Sequence, residues 1–166
     1  TDYIRALCSH DGKLYDGGDY NQIFETSTGD VIAKRTDYIR ALCSHDGKLY
    51  DGGNYKQVFE TSTGDVIAKR ENLILALCSH DGKLYDGGFC KKVFETSTGD
   101  VIAKRTYCIN DLCSHDGKLY DGGGYNQVFE TSTGKVITER ENRINALCSH
   151  NGKLYDGGDY NQVFET

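Results

Sequence analysis

Ile4-Arg-Ala-Leu-Cys-Ser-His-Asp-Gly-Lys-Leu-Tyr-Asp-Gly-Gly18 is the stretch whose reading decides the fold. Two apolar-rich runs flank Asp11-Gly12, a dipeptide that supplies both positive-φ residues of a two-residue type I′ hairpin turn. The run from Tyr3 to Ser9 and the run from Lys13 to Gly17 therefore read as an antiparallel pair. That turn sets the register, with Cys8 across from Tyr15 and Leu7 across from Asp16. On strict alternation one face carries Ile4, Ala6, Cys8 and Tyr15, and the other carries Leu7 and Leu14.

Working outward, the same stretch recurs. Cys8, Cys43, Cys78, Cys113 and Cys148 are spaced by 35 residues, as are His10, His45, His80, His115 and His150. The copies span 1–35, 36–70, 71–105, 106–140 and 141–166, the fifth lacking the last nine positions of the unit. In the fifth copy the turn becomes Asn151-Gly152, an exchange that a type I′ turn accepts. Two more strands complete each unit. Gln22 to Glu25 follows a loop through Asp19-Tyr20-Asn21, and Asp30 to Lys34 follows the Thr26-Ser27-Thr28-Gly29 turn. No stretch has sustained helical periodicity, and the chain has no Pro, as suits backbone N–H groups committed to ladders. The later strands carry adjacent apolar pairs, Ile23-Phe24 and Val31-Ile32, so both faces of each small sheet read as buried. Repeated sheets buried on both faces stack around an axis. The expectation is a single all-β domain over 1–166, a five-bladed β-propeller of four-stranded antiparallel blades. Its fifth blade lacks an outer strand, giving 19 strands instead of 20 and leaving an unpaired edge that is tolerated in a monomer, is completed by self-association, or marks a chain cut from a longer array, in that order of preference.

Ile4 to Gly18, then Ile23, then Thr28-Gly29-Asp-Val-Ile32, resembles the WD-repeat and quinoprotein-like propeller consensus in all five copies. Leu14-Tyr-Asp-Gly-Gly18 is also similar to the double-glycine strand of kelch repeats and to tachylectin-like five-bladed lectins. The WD-repeat resemblance implies a protein-interaction module, and the lectin resemblance a glycan binder. Gly-His and Trp-Asp dipeptides are absent. The aspartate that WD repeats place before the third strand matches Asp19 and Asp159, whereas Asn54, Phe89 and Gly124 fill that slot elsewhere. The family's hydrogen-bonded tetrad is not carried over.

Composition narrows the function classes. The 166 residues are 37% hydrophobic and 27% charged, with 19 basic and 25 acidic residues and a net charge of -6. An acidic balance disfavours a nucleic-acid partner. No apolar run approaches the ~20 residues of a membrane-spanning helix. The chain holds no Met, which reads as a processed, excerpted or engineered polypeptide, and no targeting segment gives it an address. No Gly-x-Ser-x-Gly elbow is present. Ser132-Thr-Gly-Lys135 lacks the glycine that a phosphate loop needs at Phe129. A constellation repeated five times is poor material for one active site, so the expectation is a non-enzyme without cofactor.

Differences between copies fall mostly at unit positions 1–3, 5 and 19–22. In a propeller the approach to strand one and the loop between strands two and three share one rim. The candidate ligand-binding residues are accordingly Tyr3, Arg5, Asp19, Tyr20, Asn21, Tyr38, Arg40, Asn54, Tyr55, Lys56, Phe89, Lys91, Tyr107, Asn110, Tyr125, Asn126, Arg143, Asn145, Asp159, Tyr160 and Asn161. Tyr, Asn, Arg and Asp on loop tips suit a protein or peptide segment, or a glycan. Drift of solvated positions and packing of the tyrosines beneath the loop are the bland alternatives, although the opposite rim is nearly invariant.

Five Cys-Ser-His copies invite a metal reading, but each sits in a different blade, whereas structural zinc needs converging ligands. The thiols read instead as small buried hydrophobes against Tyr15 and its equivalents, and a reduced, cytosol-like setting follows. Cys90 and Cys108 replace tyrosines on the variable rim in adjacent copies and form a candidate disulfide or shared metal contact, with coincidence as the favoured alternative. Asp16 and its equivalents are expected to accept backbone or hydroxyl hydrogen bonds, or to meet Arg5.

Overall fold

A computed structural model describes residues 3–159 and 162–166. Five antiparallel sheets follow one another along the chain. Blade one holds β1 (Ile4–His10), β2 (Lys13–Gly18), β3 (Gln22–Glu25) and β4 (Asp30–Lys34). Blade two holds β5 (Ile39–His45), β6 (Lys48–Gly53), β7 (Gln57–Glu60) and β8 (Val66–Lys69). Blade three holds β9 (Ile74–His80), β10 (Lys83–Gly88), β11 (Lys92–Glu95) and β12 (Val101–Lys104). Blade four holds β13 (Ile109–His115), β14 (Lys118–Gly123), β15 (Gln127–Glu130) and β16 (Val136–Glu139). Blade five holds β17 (Ile144–His150), β18 (Lys153–Gly158) and β19 (Val163–Glu165). This is the five-bladed propeller with a truncated last blade that the repeat implies.

The hairpin turn is as expected. Asp11 and Gly12 have φ of 47° and 73°, and the four equivalent pairs match them. Cys8 faces Tyr15 and Leu7 faces Asp16. The expected placement of Ile4 requires correction. A bulge between Ile4 and Ala6 breaks the alternation, so the isoleucine joins the leucine face. In blade two Ile39, Leu42 and Leu49 together meet Tyr15 and Ile23 of blade one, with Ala6 and Cys8 alongside. The bulge also aims Arg5 and its equivalents at the central opening.

Each interface between blades repeats one fit. Gly17 leaves room for Ile39, since a Cβ there would lie 2.7 Å from the isoleucine Cγ2. Gly52 and Ile74, Gly87 and Ile109, and Gly122 and Ile144 repeat the pairing at 2.7–2.9 Å. The neighbouring Gly18 has no room for a side chain beside the Tyr3 carbonyl. Seating a whole isoleucine is worth about 1.5–3 kcal/mol, and Ile39, Ile74, Ile109 and Ile144 are all fully buried.

Two expectations of burial fail locally. Val31 and Ile32 on the outer strand are exposed, as are Ile4, Leu7 and Leu14 on blade one. Inner strands pack in succession from β1 to β5, β9, β13 and β17, but no comparable packing joins β17 back to β1. The outward faces of the first and fifth blades therefore stay uncovered.

Candidate functional site

The variable positions gather at one end of the central channel. Backbone N–H groups of Asp19, Asn54, Phe89, Gly124 and Asp159 donate to the carbonyls of Tyr3, Tyr38, Leu73, Cys108 and Arg143 at 3.0–3.3 Å. The segment entering each inner strand is thereby stitched to the loop leaving the second strand, which puts both variable stretches on one rim. Bulged residues from all five inner strands, Arg5, Arg40, Leu75, Asn110 and Asn145, line an opening of about 640 Å³. A narrower continuation of about 220 Å³ runs deeper, past Ala41, Ala76 and Asp111. A further opening outside the channel is bordered by Arg140, Gln162 and Phe164.

The mouth is divided chemically. Arg5 donates from Nε and Nη2 to both Asp19 oxygens at 2.9 and 3.0 Å, with its guanidinium 5.2 Å from the Tyr3 ring centre. Hydrogen bonding by Arg5 holds the Asp19 carboxyl below its usual range and raises Arg5 in turn. Arg143 and Asn145 both donate to Asp159, at 2.8 and 2.6 Å, and lower its pKa in that order of effect. Arg40 instead donates to the neutral Asn54 at 3.0 Å. Asn110 donates to the Ile144 carbonyl at 2.9 Å and to Asn145 Oδ1 at 3.2 Å. Blade three contributes an apolar sector, Leu73, Leu75 and Phe89, and blade four adds Cys108. Phe89, Tyr107, Tyr3 and Tyr38 are exposed.

Several expected rim residues are elsewhere engaged. Tyr20, Tyr55 and Tyr125 turn inward, and their hydroxyls donate to Asp16, Asp51 and Asp121 at 2.6–2.8 Å. Burial, followed by the adjacent aspartate charge, pushes the Tyr55 and Tyr125 phenols up. Asn21, Lys56, Lys91 and Asn126 hold the left-handed turn position, with φ of 57–60°. Their carbonyls accept the N–H groups of Arg35, Arg70, Arg105 and Arg140. Tyr160 and Asn161 lie outside the described residues.

The feature that sequence reasoning missed is an arginine. Arg35 reaches from the end of the first copy into the second blade and donates to both oxygens of Asp51 at 2.7 and 2.6 Å. It also lies 4.4 Å from the Phe59 ring centre. Thr61 Oγ1 donates to the same carboxylate at 2.9 Å. Arg70 with Asp86, Arg105 with Asp121 and Arg140 with Asp156 repeat this clamp. The signal was present in the sequence: each complete copy ends in arginine, while every second strand keeps its aspartate. Asp16 meets Tyr20 and Thr26 rather than Arg5.

Cys43, Cys78 and Cys113 are buried beside Tyr50, Tyr85 and Tyr120. Burial pushes the Cys43 and Cys113 thiols up to about 12. His10 Nδ1 hydrogen-bonds Ser44 Oγ of the next blade at 2.8 Å, and His45, His80 and His115 do the same with Ser79, Ser114 and Ser149. Cys90 and Cys108 are free thiols, and Cys108 Sγ lies 3.3 Å from Asn110 Oδ1. Among the described residues no three His, Cys, Asp or Glu side chains form a group able to hold a metal.

The architecture, with its channel mouth, is that of a five-bladed β-propeller. The WD40 β-propeller domain of Doa1 superposes with a TM-score of 0.75 at 14% identity, over 99% of this chain and 64% of that one. The computationally designed Ika8 protein superposes with a TM-score of 0.69 at 18% identity, over 96% of this chain and 57% of that one. The chain thus spans about six-tenths of the length of either, and at these identities the likeness is one of fold. No protein-family profile matches the sequence, and comparison with curated proteins gives no relative.

Proposed function

We propose that this propeller is a non-catalytic binding scaffold that takes a protein or peptide segment at its variable channel mouth. The observation that carries this reading is the divided chemistry of one opening. Leu73, Leu75 and Phe89 supply apolar area, while Arg40, whose rim partner is the neutral Asn54, supplies a cation. A segment pairing an aromatic or aliphatic side chain with a carboxylate complements both sectors. The opposite rim offers near-identical Thr-Ser-Thr-Gly turns in each complete copy, which give no such asymmetry. Selection from a random peptide library tests the reading. Recovered peptides should combine acidic and apolar residues, and Phe89→Ser or Arg40→Ala should weaken them about tenfold or more without lowering the melting temperature. Loss of binding on changing the Thr-Ser-Thr-Gly rim would place the site on the wrong face.

A glycan-binding reading rests on the exposed rings of Tyr3, Tyr38 and Tyr107, which offer flat surfaces for sugar stacking. A glycan array separates the two, because sugar binding should depend on those tyrosines and not on Arg40. Silence in both assays favours the remaining reading, a recently amplified or designed repeat propeller with no ligand. Self-association through the free edge of β19 stands beside these readings as a route of assembly.

A further inference from the structure

Below its mouth the channel narrows to a throat of about 220 Å³, whose wall is set by the residue that follows each bulge. Ala6, Ala41, Ala76 and Ala146 stand there, and the fourth copy alone places an aspartate, Asp111. We infer that this throat binds a primary alkylammonium ion, with the Asp111 carboxylate as its counter-ion and the alanine methyls around its carbon chain. The carboxylate is fixed in place but not compensated. Its Oδ1 accepts the N–H of Leu112 at 2.8 Å and its Oδ2 that of Leu147 in the next blade at 2.7 Å, so each oxygen keeps a lone pair for a further donor. Among the described residues no cation is paired with it. The two arginines that share the throat's lining are turned toward the rim. Arg5 is held by both Asp19 oxygens, and Arg40 donates to Asn54 with its guanidinium 5.6 Å from the Tyr38 ring centre. A confined carboxylate without an opposite charge is costly, and a cation entering from solvent relieves that cost.

The wall decides which cation fits. A bare divalent ion wants six or more oxygen ligands, and among the described residues no three His, Cys, Asp or Glu side chains gather to hold a metal. An ammonium group needs only a few acceptors and brings its own apolar stem, which the alanine methyls and Leu75 of the throat can cover. A cavity of about 150 Å³ admits benzene, so the throat has room for an unbranched chain of four or five carbons. Two sources present this chemistry, a free amine and the side chain of a lysine on a segment seated at the mouth. The inference does not require the peptide reading of that mouth.

Calorimetric titration near pH 7.5 at constant ionic strength tests it, with n-butylammonium, methylammonium and Nα-acetyl-lysine amide as probes. Butylammonium should bind about tenfold or more tighter than methylammonium, because only the longer chain buries methylenes in the throat. Asp111→Ala, which installs the residue of the other four copies and should keep the fold, should weaken butylammonium at least tenfold. Asp111→Asn, which keeps an acceptor and removes the charge, should do the same. Phe89→Ser lies outside the throat and should leave butylammonium binding unchanged, so failure here and failure of the peptide reading are read separately. A lysine amide that binds tighter than butylammonium and is weakened by Phe89→Ser supports the proposal and assigns the ammonium to a docked segment. Equal affinities support it and assign the site to a free amine. Absence of butylammonium binding, or an affinity indifferent to chain length, overturns the proposal. Binding that survives Asp111→Ala also overturns it, by placing the amine elsewhere on the acidic surface.

Discussion

Arg70 of the second copy grips Asp86 of the third through two guanidinium nitrogens, at 2.8 and 2.7 Å, with both side chains buried. The guanidinium lies 4.3 Å from the Phe94 ring centre, so it is held by charge on one side and an aromatic face on the other. The contact ties the end of one blade's outer strand to the second strand of the next, while the isoleucine–glycine fit joins the second strand of one blade to the first strand of the next. Removing the arginine alone leaves a buried carboxylate whose remaining side-chain donor is Thr96. Arg70→Met should cost about 3–5 kcal/mol in chemical denaturation. Asp86→Leu added to it should recover much of that loss, since an apolar pair leaves no unpaired charge.

The third copy carries a defect that this clamp makes legible. Tyr20, Tyr55 and Tyr125 each give a phenolic hydrogen bond to the clamped or buried aspartate, but Cys90 fills that slot beside Asp86. Cys90→Tyr should restore the bond and the edge-on ring contact seen between Tyr125 and Phe129 at 4.9 Å. A gain of about 1 kcal/mol is expected, read as a higher denaturation midpoint with an unchanged slope. No gain would mean that the loop of blade three has repacked around the thiol.

What is legible in the sequence depends on the range of the interaction. Asp11-Gly12 set turn, register and strand lengths because a hairpin is local. Strict alternation places Ile4 on the wrong face because a bulge, with no glycine or proline in the strand to mark it, interrupts the period of two at Arg5. The role of Arg35 is not legible in the sequence because its partner Asp51 lies in the next blade, a contact that exists only once the blades are stacked. The rim tyrosines divided for a different reason, the local course of the loop after each second strand, which alternation does not describe. Tyr3 and Tyr107 face solvent, whereas Tyr20 and Tyr55 reach an aspartate four residues back along the chain.

Thiol chemistry should report the same layering. Cys43, Cys78 and Cys113 are buried and held protonated by burial, whereas Cys148 on the uncovered face of blade five is exposed. Alkylation of the native protein near pH 7.5, followed by peptide mapping, should modify Cys148 first, and those three only on unfolding. All seven cysteines should titrate after denaturation without reductant. A count of five would mean that Cys90 and Cys108 had joined in solution.

Asp111 gives the fold a pH dependence that no other copy encodes. It stands where the other copies have alanine, half-buried in the channel wall, and accepts the N–H groups of Leu112 and, from the next blade, Leu147 at 2.8 and 2.7 Å. Burial pushes its pKa up to about 6, against the opposing pull of those two N–H bonds. A carboxyl with a raised folded value binds more protons in the native state than in the unfolded chain between about pH 4 and 6. Its contribution to stability therefore falls as pH rises through that window and is least favourable above it. Since the group still meets the channel, the swing should be about 1–2 kcal/mol rather than the full shift. Asp111→Asn keeps one acceptor and removes the charge. Its melting temperature should match or exceed that of the wild type at pH 7, with the advantage shrinking toward pH 4. A constant difference between the two proteins across that range would show that the carboxyl titrates at its ordinary value, and that channel water solvates it.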